Sequence, residues 1–131
     1  MSFLTALRAK RGPRAKKSAT FLLVYSPPDE PTVKVGRLDF DGELWTFTYD
    51  EEYKRRTDLR PIEGFGDLQK IYRSPVLFPF FAVRIPHESR SDIQQRLANE
   101  HVRDRDESDL LRLFGRHVVS SPAFELIPVA A

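Results

Sequence analysis

Apolar and polar positions alternate most regularly between residues 33 and 50. Trp45, Phe47 and Tyr49 alternate with Leu44, Thr46 and Thr48. A period of two puts the three rings on one face of a strand and the smaller side chains on the other. Upstream, Val33, Val35 and Arg37 alternate imperfectly with Lys34 and Leu38, which predicts a bulge near Gly36. Asp41-Gly42 lies between the two runs. It is a strong hairpin signal, because Gly tolerates the positive φ of a tight turn. The pattern therefore predicts strands over 32–40 and 43–50. Their rings bury more apolar area than any other stretch offers, so Trp45, Phe47 and Tyr49 are predicted to seed the core.

The other elements follow from the same reading. Residues 20–25 are β-branched and aromatic and predict a first strand. The segment 26–31 holds three prolines and predicts a loop. A helical turn is expected over 50–54, then a long exposed connection over 57–70. The most apolar stretch, 74–83, is interrupted by proline. Its Phe78, Phe80 and Phe81 are expected to pack on the hairpin rings, with Phe80 and Phe81 counted in the core. Ser91-Asp92-Ile93-Gln94 fits a capping box, and Ile93 and Leu97 share one helical face. A second helix starts near Asp106 or Ser108 and presents Leu110, Leu111, Leu113 and Phe114. Gly115 is expected to close it with positive φ. Residues 124–128 predict a last strand beside the first hairpin. The fold class expected is α+β: a small antiparallel, barrel-like sheet of four to six strands, with two helices packed on one side.

Charge changes the picture at one end. The net charge of +2 divides into +6 on residues 1–19 and −4 on the remainder. This predicts a mobile basic arm over 1–19 and a single domain over 20–131, and argues against a nucleic-acid groove on the folded body. There is no cysteine. That excludes disulfides, thiolate metal sites and cysteine nucleophiles, and fits a cytoplasmic protein. No apolar run approaches the ~20 residues of a membrane span. No small-residue cleavage site follows 21–25, so no signal peptide is expected.

Candidate chemistry is sparse. His87, His101 and His117 do not share the i, i+4 spacing of a helical metal site. Gly64-Phe65-Gly66-Asp67 lacks the Lys-Ser/Thr of a phosphate loop and reads as a turn. Ser120-Ser121 has no G-x-S-x-G setting. Glu51-Glu52 and Asp104, Asp106, Glu107 and Asp109 read as helix starts, where acids favour the positive dipole end. No nucleophile, base and orienting group assemble. The residues read as a binding or structural module, not an enzyme, with no metal and no cofactor.

Taken in order, Gly36-x-Leu38, Gly42-x-x-Trp45-x-Phe47-x-Tyr49-Asp50 and Leu77-Phe78-Pro79-Phe80-Phe81-x-x-x-Ile85-Pro86 resemble the N-terminal domain of HipA-family serine/threonine kinase toxins. The similarity continues through Ile93-x-x-Arg96, Asp109-Leu110-Leu111-x-x-x-Gly115 and Phe124-x-Leu126-Ile127-Pro128. A free-standing version resembles the HipS component of tripartite HipBST toxin–antitoxin loci. The resemblance implies an antitoxin-like module that docks on a separately encoded HipT/HipA-like kinase, with a HipB-like protein supplying DNA binding. A detached domain must re-bury the surface it would share with the kinase. Phe65, Leu68, Ile71 and Tyr72 are the candidate partner contacts, because Gly-Phe-Gly is able to hold a ring out into a cleft. The alternative from another class is a nucleic-acid-associated accessory protein that works through the basic arm, with salt-sensitive binding.

Overall fold

The computed structural model of the protein describes residues 18–86, 91–99 and 106–129. Residues 1–17, which hold all six cations of the basic arm, and with them the nucleic-acid alternative, lie outside the described residues, as do His87, His101 and Asp104; Ala19, placed in the arm, is the first residue of a strand.

Among the described residues five strands form one antiparallel sheet. They are β1 (Ala19–Tyr25), β2 (Val33–Phe40), β3 (Trp45–Tyr49), β4 (Tyr72–Ser74) and β5 (Phe124–Pro128), in the order β4-β3-β2-β1-β5. The α+β class and the strand number are as the pattern predicts. The sheet is open: β4 and β5 are its edges and do not pair with each other. Among the described residues four helices accompany it: α1 (Glu51–Arg55), α2 (Pro79–Ala82), α3 (Ser91–Asn99) and α4 (Glu107–Phe114).

The period of two acts as expected. Trp45, Phe47 and Tyr49 are buried, whereas Leu44, Thr46 and Thr48 are exposed or half-exposed. The turn is longer than a two-residue one. Phe40 pairs with Trp45, so residues 41–44 form the loop. One carboxylate oxygen of Asp41 accepts from the N–H groups of Glu43 (2.8 Å) and Leu44 (2.7 Å). Those bonds hold the Asp41 carboxyl below the usual carboxylate range. Gly42 supplies the positive φ of 103°.

The bulge falls where the broken alternation places it. Leu23 pairs with Gly36 and Val24 with Lys34, so Val35 is the extra residue. Its carbonyl accepts from the Asp50 N–H at 2.8 Å. Asp50 in turn caps α1 through the Glu52 N–H. The bulge thus sets where the hairpin ends and the helix begins.

Against the ring face of the sheet pack Tyr53 of α1, Ile62 and Phe65 of the connection, Phe81 of α2 and Leu111 of α4. Phe80 is half-buried against the same core. Ile93 and Leu97 of α3 meet Leu110 of α4 in a satellite cluster, which Ile85 links to the main core. Asp106 caps α4 by accepting from the Asp109 N–H at 3.0 Å. The position before Ser91, where a cap for α3 would sit, lies outside the described residues.

Gly115 closes α4, but its φ is −87°, not positive. Space decides the residue: a Cβ there would stand 2.6 Å from the Leu111 carbonyl oxygen and from Leu111 Cδ1. The connection over 57–70 is exposed at most positions, as expected, but Ile62 and Phe65 turn inward and are buried. Tyr49 Oη donates to the Phe65 carbonyl (2.6 Å) and accepts from the Ile62 N–H (2.9 Å). Tyr53 Oη donates to the Arg60 carbonyl at 2.5 Å. Two phenols therefore tie this segment to the hairpin and α1.

Burial pushes the Tyr49 hydroxyl from 10.0 up to about 12. A raised folded value means the stability is fully present below pH 10 and is lost as pH rises towards 12. Tyr49→Phe should cost about 1–3 kcal/mol at pH 8, because it leaves buried partners unpaired. It should also flatten the fall in urea midpoint between pH 10 and 12. Equal pH slopes for the two proteins would reject this account.

Candidate functional site

The segment 64–72 carries the predicted partner contacts. Gly64 turns the chain with φ 91°, and the next residue goes inward. Phe65 is 1% exposed. Its ring centroid lies 4.5 Å from Phe47, 5.0 Å from Tyr72, 5.1 Å from Phe78 and 6.0 Å from Phe81. The expectation that Gly-Phe-Gly holds the ring out towards a partner is therefore corrected. An outward ring would leave a hole between β3 and α2, and the apolar area gained by filling it outweighs any loop preference.

The other three residues sit differently. Leu68 and Tyr72 are half-buried against the core. The Tyr72 hydroxyl accepts from the Asp67 N–H at 2.8 Å, and an Asp67 carboxylate oxygen accepts from the Gln69 N–H at 2.9 Å. The Lys70 ammonium stands 5.0 Å from the Tyr72 ring centre. Ile71 is 46% exposed. It precedes edge strand β4, which pairs on one side only, with β3. Phe65 and Tyr72 thus act as a packed base, and Ile71 is the apolar side chain presented to water. Sequence patterning misses β4, because three residues are too few for alternation to register.

The remaining candidates serve the fold. Among the described residues no three His, Cys, Asp or Glu side chains come together to hold a metal ion. His117 is exposed, 3.8 Å from Glu125, which also pairs with Arg116. Asp106 accepts from Ser108 Oγ at 2.7 Å as well as from the Asp109 N–H. Burial and the neighbouring Asp106 charge push the Asp109 carboxyl up, against the opposing pull of Arg112 at 3.3 Å. Ser121 forms a turn through backbone bonds with Val118 and Phe124. No helix among the described residues is long and apolar enough to cross a membrane.

Sequence reasoning also missed Arg84. Its guanidinium is buried and donates to the carbonyls of Gly115 (3.0 Å), Arg116 (3.1 Å) and Phe124 (3.5 Å). It therefore joins the chain after α2 to the end of α4 and the start of β5. The signal available was a lone charge inside the apolar run from Leu77 to Ile85.

No curated protein and no solved structure matches the chain. The family model described as the HipA N-terminal domain matches residues 31–119. The matched region runs from β2 through α4 and holds most of the aromatic core. That family is an N-terminal domain rather than a catalytic one, and it points to a toxin–antitoxin-related role. With well over half of its length matched, the chain belongs to the HipA N-terminal domain family.

Proposed function

We propose that the protein is a non-enzymatic, antitoxin-like regulator that binds and restrains a separately encoded HipT/HipA-like serine/threonine kinase in the cytoplasm, with a HipB-like DNA-binding protein as a further member of the system. The observation that carries this reading is the family match over residues 31–119. The packing supports it: the matched region, together with β1 and β5, closes one core, so affinity for a partner comes from side chains left at the surface. Ile71 beside the β4 edge is the contact proposed first, with Leu68 and Tyr72 beneath it.

Co-expression with the HipT-like kinase of the same genome tests the reading. A co-purifying complex and relief of kinase toxicity are expected. Ile71→Asp should weaken the complex by about tenfold or more without moving the thermal transition. Failure of the unaltered chain to bind or restrain the kinase would overturn the reading.

A further inference from the structure

A second surface differs from the first in its electrostatics. A cleft of about 560 Å³ opens between the chain that follows α2, the face of α3 and the residues after α4. Val83 and Val119 stand at it with 62% and 95% of their surfaces in water. Arg84 forms part of its lining and is 3% exposed.

Arg84 is a buried cation met by carbonyl dipoles and by the Phe80 ring, whose centre lies 5.8 Å from the guanidinium carbon. Among the described residues no carboxylate is paired with it, and its Nε–H has no hydrogen-bond partner. Burial pulls its pKa down, which is the mark of a charged form that the surroundings compensate incompletely. A buried charge without a counter-charge is costly, and an anion brought near it recovers part of that cost. Asp92, Arg96 and His117 also line the cleft, so its walls carry one carboxylate beside basic side chains.

We propose that this cleft is a docking site for a protein segment that combines apolar side chains with one Asp or Glu carboxylate, presented by the partner kinase. The proposal rests on the reading above and adds a second contact to it. The valines supply apolar area to be covered. The cation behind them selects the charge of what covers it.

The test uses the full chain and the HipT-like kinase, with affinity measured by calorimetric titration. Val83→Asp and Val119→Asp change side chains already in solvent, so the fold is kept, as a thermal melt checks. Each places a carboxylate in the apolar surface that the partner segment would cover. Each should weaken binding by about tenfold or more. Thr57→Asp adds the same charge on an exposed loop away from the cleft and should leave affinity unchanged. If the unaltered chain binds and all three variants bind equally well, or all three weaken equally, the docking site is overturned and the kinase-binding reading stands. If the unaltered chain does not bind, both fall together.

Discussion

Phe65→Ala is expected to lower folding stability by about 3–5 kcal/mol. The ring is surrounded by Phe47, Tyr72, Phe78, Phe80 and Phe81. Deleting it opens a cavity that these rings cannot all close at once, since they are held by β3, β4 and the start of α2. The damage extends to polar groups. The Phe65 carbonyl accepts the Tyr49 hydroxyl, so a shift of this backbone also strains the bond that ties the connection to β3. Phe65→Leu keeps most of the volume and should lose much less. Urea denaturation checks both. An outward ring gives the opposite pattern: near-wild-type stability for Phe65→Ala, with the whole effect seen in binding to the kinase.

That contrast shows what the chain reveals by its pattern and what it does not. The hairpin is readable because Trp45, Phe47 and Tyr49 repeat a period that only a strand satisfies. The bulge at Val35 is readable because it breaks that period. Ile62 and Phe65 are single apolar residues among Pro, Gly and charges, so no period marks them as core. They are drawn in by the hydroxyls of Tyr49 and Tyr53, and nothing in the spacing announces those long-range bonds. Gly115 ends a helix as its position implies, but close approach to Leu111 and not a left-handed φ requires it. Of the four proposed contacts, only Ile71 is strongly exposed. Whether a side chain points in or out at a non-periodic position depends on neighbours 15–20 residues away, as with Phe65 and Phe47 or Phe81.

Arg84→Ala is expected to cost about 2–5 kcal/mol. Its guanidinium serves the Gly115 and Arg116 carbonyls at normal hydrogen-bond lengths and reaches the Phe124 carbonyl at 3.5 Å. The first two lie just past the C-terminal end of α4, where a positive charge is also favourable. Alanine removes the donors and leaves a void, while methionine refills the void without restoring the donors. Arg84→Met should therefore lie between Arg84→Ala and the unaltered protein in urea midpoint. Arg84→Lys keeps the charge, but a single ammonium lacks the planar fork that spans separate carbonyls, so it too should fall short. A methionine variant as stable as the original would mean that burying the charge cancels everything its hydrogen bonds contribute. Folding and docking also come apart at this residue. Arg84→Met preserves the apolar filling behind the cleft and deletes the cation together with its hydrogen bonds. Under conditions where it is fully folded, weaker kinase binding by this variant would isolate the attraction between the guanidinium and the partner's carboxylate from any loss of shape.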